Sequence, residues 1–182
     1  MTEADHDPGG KVRLALPPNV HGDAQFSDAQ HRQMMRRWLG DNFPQRYALF
    51  IGMNPSTADA LVNDPTCARE WNFCLREGYQ AMMKGNVGDY RATNPKDLLR
   101  PDVVASSPAN LPTLLDAALH ADLVVVCHGK LNRALVEPAR QIVTALSASN
   151  ISLWCFGINA DGSPKHPLYL RLDTPLVRYT AC

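Results

Sequence analysis

The segment Gly52-Met53-Asn54-Pro55-Ser56-Thr57-Ala58-Asp59 follows directly on the apolar run Leu49-Phe50-Ile51 and gathers an amide, two hydroxyls and a carboxylate. An apolar run that stops at Gly-x-Asn-Pro-Ser reads as the end of a buried strand. In α/β proteins ligands sit beyond the carboxyl ends of such strands. An Asn amide can read a base edge or position a water, and a carboxylate can serve as a base. The loop has no Lys, so it is not a Walker phosphate loop. Asn-Pro also punctuates ordinary turns, so the loop gains weight only from what else reaches it.

Further polar groups follow other apolar runs. Gly85-Asn86-Val87-Gly88-Asp89-Tyr90-Arg91 follows a second run, His128-Gly129-Lys130 a third and Gly157-Ile158-Asn159 a fourth; Pro164-Lys165-His166-Pro167-Leu168-Tyr169-Leu170 lies beyond. If the runs are parallel strands, these segments face one crevice. Asn54, Asp59 and His166 are the candidates for chemistry: Asn54 to orient a water, Asp59 to assist, His166 to donate to a developing anion. Asp64 is an alternative base, although it reads better as a helix cap. Gly52, Pro55, Ser56, Thr57, Asn86, Tyr90, Arg91, His128, Lys165 and Tyr169 are the candidates for binding. Asn86 would read a base, Tyr90 or Tyr169 would stack on it, and Arg91, Lys96 and Lys165 would hold a phosphate backbone. Each has a structural alternative: turn capping for the amides, packing for the aromatics, a solvated surface for the mildly basic segment Lys84–Arg100. No His, Cys, Asp or Glu set has metal-ligand spacing, Ser56 is not in a G-x-S-x-G elbow, and no metal or cofactor is expected.

The elements that must position these groups follow from periodicity. Residues 1–25, rich in Asp, Gly, Pro and His, read as a flexible arm, with one α/β domain over 26–182. Ser27 and Gln30 have capping-box spacing, and Met34, Met35, Trp38 and Leu39 recur at helical intervals, predicting a helix over about 27–39. Tyr47–Met53, Tyr79–Val87, Asp122–Cys127 and Ile151–Phe156 read as strands. Asp64-Pro65 opens a helix with Cys67, Trp71, Cys74 and Leu75 on one face. Asn110 can cap a helix carrying Leu114, Leu115, Ala118 and Leu119. Leu135, Ala139, Ile142, Val143 and Leu146 mark another, in which Pro138 fits only the first turn. Gly157–Cys182 reads as irregular. Strands alternating with helices predict a three-layer α/β sandwich around a four-stranded parallel sheet.

Composition sets outer bounds. The chain has 182 residues, 45% hydrophobic and 20% charged, which suits a single globular domain with its own core. Eighteen basic residues balance eighteen acidic ones, so net charge lends nothing to nucleic-acid or membrane binding. No apolar run approaches the ~20 residues of a membrane span, and the polar first ten residues lack a signal-peptide core. Cys67, Cys74, Cys127, Cys155 and Cys182 form no C-x-x-C pair, and four of them sit in apolar contexts as reduced core residues. The cytoplasm is the expected location.

Three segments resemble a widespread bacterial and phage family of domains of unknown function: Asn54-Pro55-Ser56-Thr57-Ala58-Asp59 with Asn63-Asp64-Pro65-Thr66, Tyr90–Leu98, and Asp161–Leu170. More distantly, Gly52-Met53-Asn54-Pro55 is similar to the Gly-x-Asn-Pro turn of the mismatch-specific branch of the uracil-DNA glycosylase superfamily. His166-Pro167-Leu168-Tyr169-Leu170 resembles the terminal His-Pro motif of that superfamily, and Asn86 and Arg91-x-x-Asn94 resemble its segment after strand two. The resemblance implies a uracil-DNA-glycosylase-like fold and a nucleobase pocket. Leu168 replaces the usual Ser after His-Pro, a Gly157–Lys165 insertion precedes that motif, and no cysteine set matches the iron–sulfur branch. The expectation is therefore a nucleobase- or nucleotide-acting enzyme, with N-glycosidic hydrolysis in DNA as one reaction. A transferase modifying a base in phage-type DNA and a non-catalytic nucleotide- or nucleic-acid-binding module are the alternatives.

Overall fold

Buried apolar runs of strand length dominate the centre of the molecule. The computed structural model describes residues 12–180. Its elements are, in order, β1 (Leu14–Ala15), β2 (Val20–Phe26), β3 (Arg32–Leu39), β4 (Ala48–Gly52), β5 (Val62–Asn63), α1 (Pro65–Arg76), β6 (Ala81–Asn86), α2 (Asn110–Leu119), β7 (Leu123–Val126), α3 (Arg133–Ala148), β8 (Leu153–Cys155) and β9 (Val177–Arg178), with short 3-10 turns at Pro95–Leu99 and Pro167–Tyr169. β1 and β5 form a small separate ladder. The remaining strands make one seven-stranded sheet in the order β2-β3-β6-β4-β7-β8-β9.

The sheet is mixed and wider than the four parallel strands expected. β6, β4, β7 and β8 are parallel neighbours. An antiparallel β2–β3 hairpin extends one edge, and antiparallel β9 caps the other. The helix expected over 27–39 is strand β3, and Ser27–Gln30 is the hairpin turn, with Asp28 Oδ1 accepting from the amides of Gln30 and His31. The spacing misled because both faces of this strand are covered. Met34 packs with α2 and α3, whereas Met35 packs with α1. Consecutive apolar residues are then required rather than alternating ones. Residues 14–15 and 20–25 of the expected arm are likewise strand, while residues 1–11 lie outside the described residues. The tail expected to be irregular contributes β9.

Two cores sandwich the sheet. Leu49, Ile51, Val124 and Val126 face α2 and α3; Ala48, Phe50, Leu123 and Val125 face α1. Asp64 caps α1 as expected, its Oδ1 accepting from Cys67 N at 2.7 Å with Pro65 in the first turn. Asn110 is not a cap: it is the first helical residue of α2, and its amide turns inward. Pro138 sits inside α3, beyond its first turn. Cys67, Cys74, Cys127 and Cys155 are buried free thiols. No helix among the described residues is long and apolar enough to cross a membrane.

Candidate functional site

Strand parity decides where the cleft lies. Gly52 pairs with Asn86, and Phe50 with Lys84, at the carboxyl ends of β4 and β6. Side chains two apart share a face, so Lys84 and Asn86 point the same way as Met82, toward α1. The intervening Gly85 faces α2, where an added Cβ would lie 2.2 Å from Leu114. A cleft of about 190 Å³ opens there, lined by Gly52, Met53, Asn54, Ser56, Asp64, Thr66, Lys84, Asn86, Pro95, His166, Leu168 and Tyr169. It is smaller than the roughly 300–1,000 Å³ of drug-sized ligand sites and suits one compact planar group.

The floor is polar and partly unspent. Asn86 is 1% exposed, and neither atom of its amide has a hydrogen-bond partner. Buried amides are nearly always paired, so this one is set to meet something that enters. The Ser56 hydroxyl in the same wall is also buried without a partner. Gly52 keeps the floor open: a Cβ there would stand 2.9 Å from Asn86 Oδ1 and 3.1 Å from Lys84 Nζ. Lys84 donates to both oxygens of Glu70, at 2.5 and 2.6 Å, and both side chains are buried. Burial pushes the ammonium toward its neutral form, but the Glu70 carboxylate outweighs it and holds Lys84 above its ordinary value.

The opposite wall is the His166–Tyr169 turn, which packs on α1 and is tethered by Arg69 donating to Leu170 O. His166 is pushed down to about 4 by burial first, then by Lys84 and His128, so its ring is neutral at pH 7. Its Nδ1 accepts from Leu168 N at 3.4 Å, which assigns the ring proton to Nε2 as a donor. Gly129, at φ +69°, lets the backbone pass close by: a Cβ there would lie 3.1 Å from His166 Cβ. Tyr169 is 75% exposed at the rim, a large aromatic with one face open. Its ring centroid lies 6.3 Å from that of His166.

The Asn54–Asp59 loop is held from β3 by two buried arginines. Arg32 donates to Ala58 O; Arg37 donates to Asp59 O, Val62 O at 2.9 Å and Asn63 Oδ1 at 2.9 Å. Asn54 reaches the cleft, but its NH₂ is spent on Pro55 O at 2.9 Å and Ala92 O at 2.8 Å, leaving Oδ1 as an acceptor. Asp59 does not line the cleft. Its Oδ1 accepts from Leu61 N and Val62 N, and its Oδ2 pairs with Arg13.

Of the residues singled out in the sequence, Gly52, Asn54, Ser56, Asn86, His166 and Tyr169 therefore converge. The others lie elsewhere. Pro55 and Thr57 are in the loop but not in the cleft wall. Tyr90 bridges His31 beside the β2–β3 turn, and Arg91 lies over Phe26. His128 is buried beside the cleft, its Nδ1 on Gly129 O at 2.6 Å, and lines a neighbouring groove with Lys130 and Arg140. Lys165 packs against Gly157. Strand-end spacing does not mark Lys84 or Thr66, which also line the cleft, and Asp64 reads from the sequence mainly as a cap. For Lys84 the signal was legible: a lysine between Met83 and Gly85 in a buried strand demands a charged partner. No group of three or more His, Cys, Asp or Glu among the described residues could hold a metal.

A model for a family of proteins of unknown function, DUF1643, matches residues 32–168. The chain belongs to this family. No curated protein and no solved structure matches it. The matched span runs from the first residue of β3 to Leu168 and so takes in every residue that lines the cleft except Tyr169.

Proposed function

We propose that the cleft binds a nucleobase and that the protein is an enzyme acting on that base or on its bond to the sugar. The observation that carries this reading is the Asn86 amide: fully buried, at the floor of a base-sized cleft, with donor and acceptor both unpartnered. An amide is the side chain that pairs with a donor–acceptor edge. Tyr169 at the rim would stack on the ring, and the neutral His166 would donate from Nε2 to charge building on a departing base. In N-glycosidic hydrolysis, water adds to the sugar carbon while the bond to the base breaks and its electron pair leaves with the base. The Asp64 carboxylate and Asn54 Oδ1 are the acceptors available in the cleft for that water. The arrangement of β6, β4, β7 and β8 between helices, with the Gly52–Pro55 and His166–Leu170 segments at one cleft, supports a uracil-DNA-glycosylase-like ancestry as part of the same proposal. A target in DNA would have to leave the stack to fit so small a site.

A second reading, a non-catalytic base-binding module, draws on the state of Asn54 and Asp59. The first has its NH₂ locked to the backbone, and the second is turned into its own loop. One experiment separates the two. Free bases, nucleosides, nucleotides and single-stranded oligonucleotides are screened by calorimetry and, by chromatography, for released base. Binding that Asn86→Ala removes supports the pocket, and base release that His166→Ala also removes supports catalysis. A wild type that binds none of these compounds overturns the proposal.

A further inference from the structure

Asn86 can recognise a ring edge but cannot choose among edges. With both atoms unpartnered, its amide is free to rotate by half a turn and present either donor or acceptor. Discrimination has to come from a neighbour of fixed polarity, and Lys84 is that neighbour. Two residues before Asn86 on the same face of β6, its Nζ and the Asn86 Oδ1 both come within about 3 Å of one point, the Cβ position that Gly52 leaves empty. An ammonium has three N–H donors and no acceptor. Two are taken by the Glu70 oxygens. Among the described residues the third has no partner, and Lys84 lines the cleft. Glu70 fixes both the position and the charge of the ammonium, so a ligand cannot invert its polarity.

We propose that Lys84 makes the cleft selective for ring edges bearing an oxo group over edges bearing an exocyclic amine, with Asn86 pairing to the adjacent ring atom. An amine facing Lys84 would set donor against donor in a site with little room for a bridging water. An oxo group would accept the free N–H. The inference rests on the base-pocket reading and adds to it the residue that selects and the class selected.

The test is calorimetric binding of a matched pair, hypoxanthine and adenine, as bases and as nucleosides; cytosine is no control, because its C2 oxo group beside N3 would also accept from Lys84. Wild type is expected to favour hypoxanthine by about 10- to 100-fold, the range of one hydrogen bond to a charged group. Removing Lys84 alone would strand Glu70, so the variant is Lys84→Met with Glu70→Leu, which replaces both charges by apolar groups of similar size. It should bind both purines with near-equal affinity while Asn86 remains necessary. Equal binding by wild type, or a preference that survives in the double variant, overturns the role of Lys84 and leaves the pocket standing. If wild type binds none of the compounds, the base-pocket reading fails and this inference fails with it. Should the double variant not fold, Lys84→Gln with Glu70→Gln takes its place: its neutral amides can turn either way, so the same loss of preference is expected and a surviving preference overturns the role of Lys84.

Discussion

Asn86 and Asn110 are buried to the same degree, 1% and 0% exposed, in the same corner of the sheet, yet they are opposites. Asn110 spends its NH₂ on the Asn86 and Val87 carbonyls, at 3.1 and 2.9 Å, and on the Ser106 hydroxyl, with only its Oδ1 unpartnered. Asn86 bonds to nothing through its side chain. One amide clamps the backbone that carries the other. A buried amide that is satisfied internally contributes to the fold. One left open at a cleft floor costs stability, and that cost is offset only if a ligand completes it. Residue type and burial are shared, so the partners alone distinguish structure from function.

The largest effect should come from the open amide. Asn86→Ala is expected to lower activity on a base substrate by about 10²–10³, or roughly 3–4 kcal/mol of transition-state stabilisation. Its melting temperature should stay level or rise, because an unpaired polar group leaves the interior. A variant that melts lower and keeps full activity would reverse the roles assigned to the two asparagines.

Asn110→Leu should do the converse. Stranding two buried carbonyls at the Asn86–Val87 corner is expected to cost about 2–3 kcal/mol. At this chain length that lowers the melting temperature by several degrees, roughly 2–4 °C per kcal/mol. Ligand affinity per folded molecule should fall less than in Asn86→Ala. A variant as stable as wild type would show that the clamp bears no load.

Two histidines extend the comparison to pH. His31, near the β2–β3 turn, is desolvated, but its bonds to Val104 O and Asp28 prevail and raise it. His166 in the cleft is lowered to about 4, first by burial. A histidine with a depressed folded value is protonated more readily in the unfolded chain. Its penalty is absent above the unfolded value of about 6.5 and grows as pH falls toward 4. His31 has the opposite sign, adding stability below about 6.5 that is lost as pH rises. Denaturant titrations of wild type and His166→Asn at pH 7 and pH 4.5 separate the two. Wild type should lose roughly 2 kcal/mol more than the variant on acidification, allowing for partial exposure of the ring. Equal losses would mean that His166 is not desolvated.

The legible parts of the fold were those where one physical signal dominates. Asp64-Pro65 announces α1 because a cap and a pre-set φ act locally, and the valines of β7 have no other reading. β3 was not legible, because a strand covered on both faces shows consecutive apolar residues that also satisfy a helix. Nothing in its spacing marks its arginines as internal, yet Arg37 is buried and holds the Asp59 and Val62 carbonyls and the Asn63 side chain. In the site, Asn54, Asn86 and His166 were reachable by the rule that ligands sit at strand ends. That rule names segments, not side chains. It could not tell that Tyr90 faces His31 at the head of β3, or that the Asp59 carboxylate turns back on the Leu61 and Val62 amides of its own loop.

The smallest effect concerns the two carboxylates flanking that loop. Asp59 Oδ1 holds the Leu61 and Val62 amides at 2.9 and 3.1 Å and does not line the cleft. Asp59→Ala should cost about 1 kcal/mol, the scale of a lost side-chain cap, and leave ligand affinity and turnover unchanged. Asp64 both caps α1 and lines the cleft. Asn is as good a cap as Asp, so Asp64→Asn should melt within a few tenths of a kcal/mol of wild type. It nevertheless takes the negative charge out of the cleft. If the reaction needs a carboxylate to hold its water, turnover falls while base binding persists. Pairing a melting curve with a binding and a turnover assay on both variants therefore assigns the roles. Turnover lost in Asp59→Ala at unchanged stability would return the chemistry to the loop carboxylate and require the loop to turn Asp59 inward when a ligand binds.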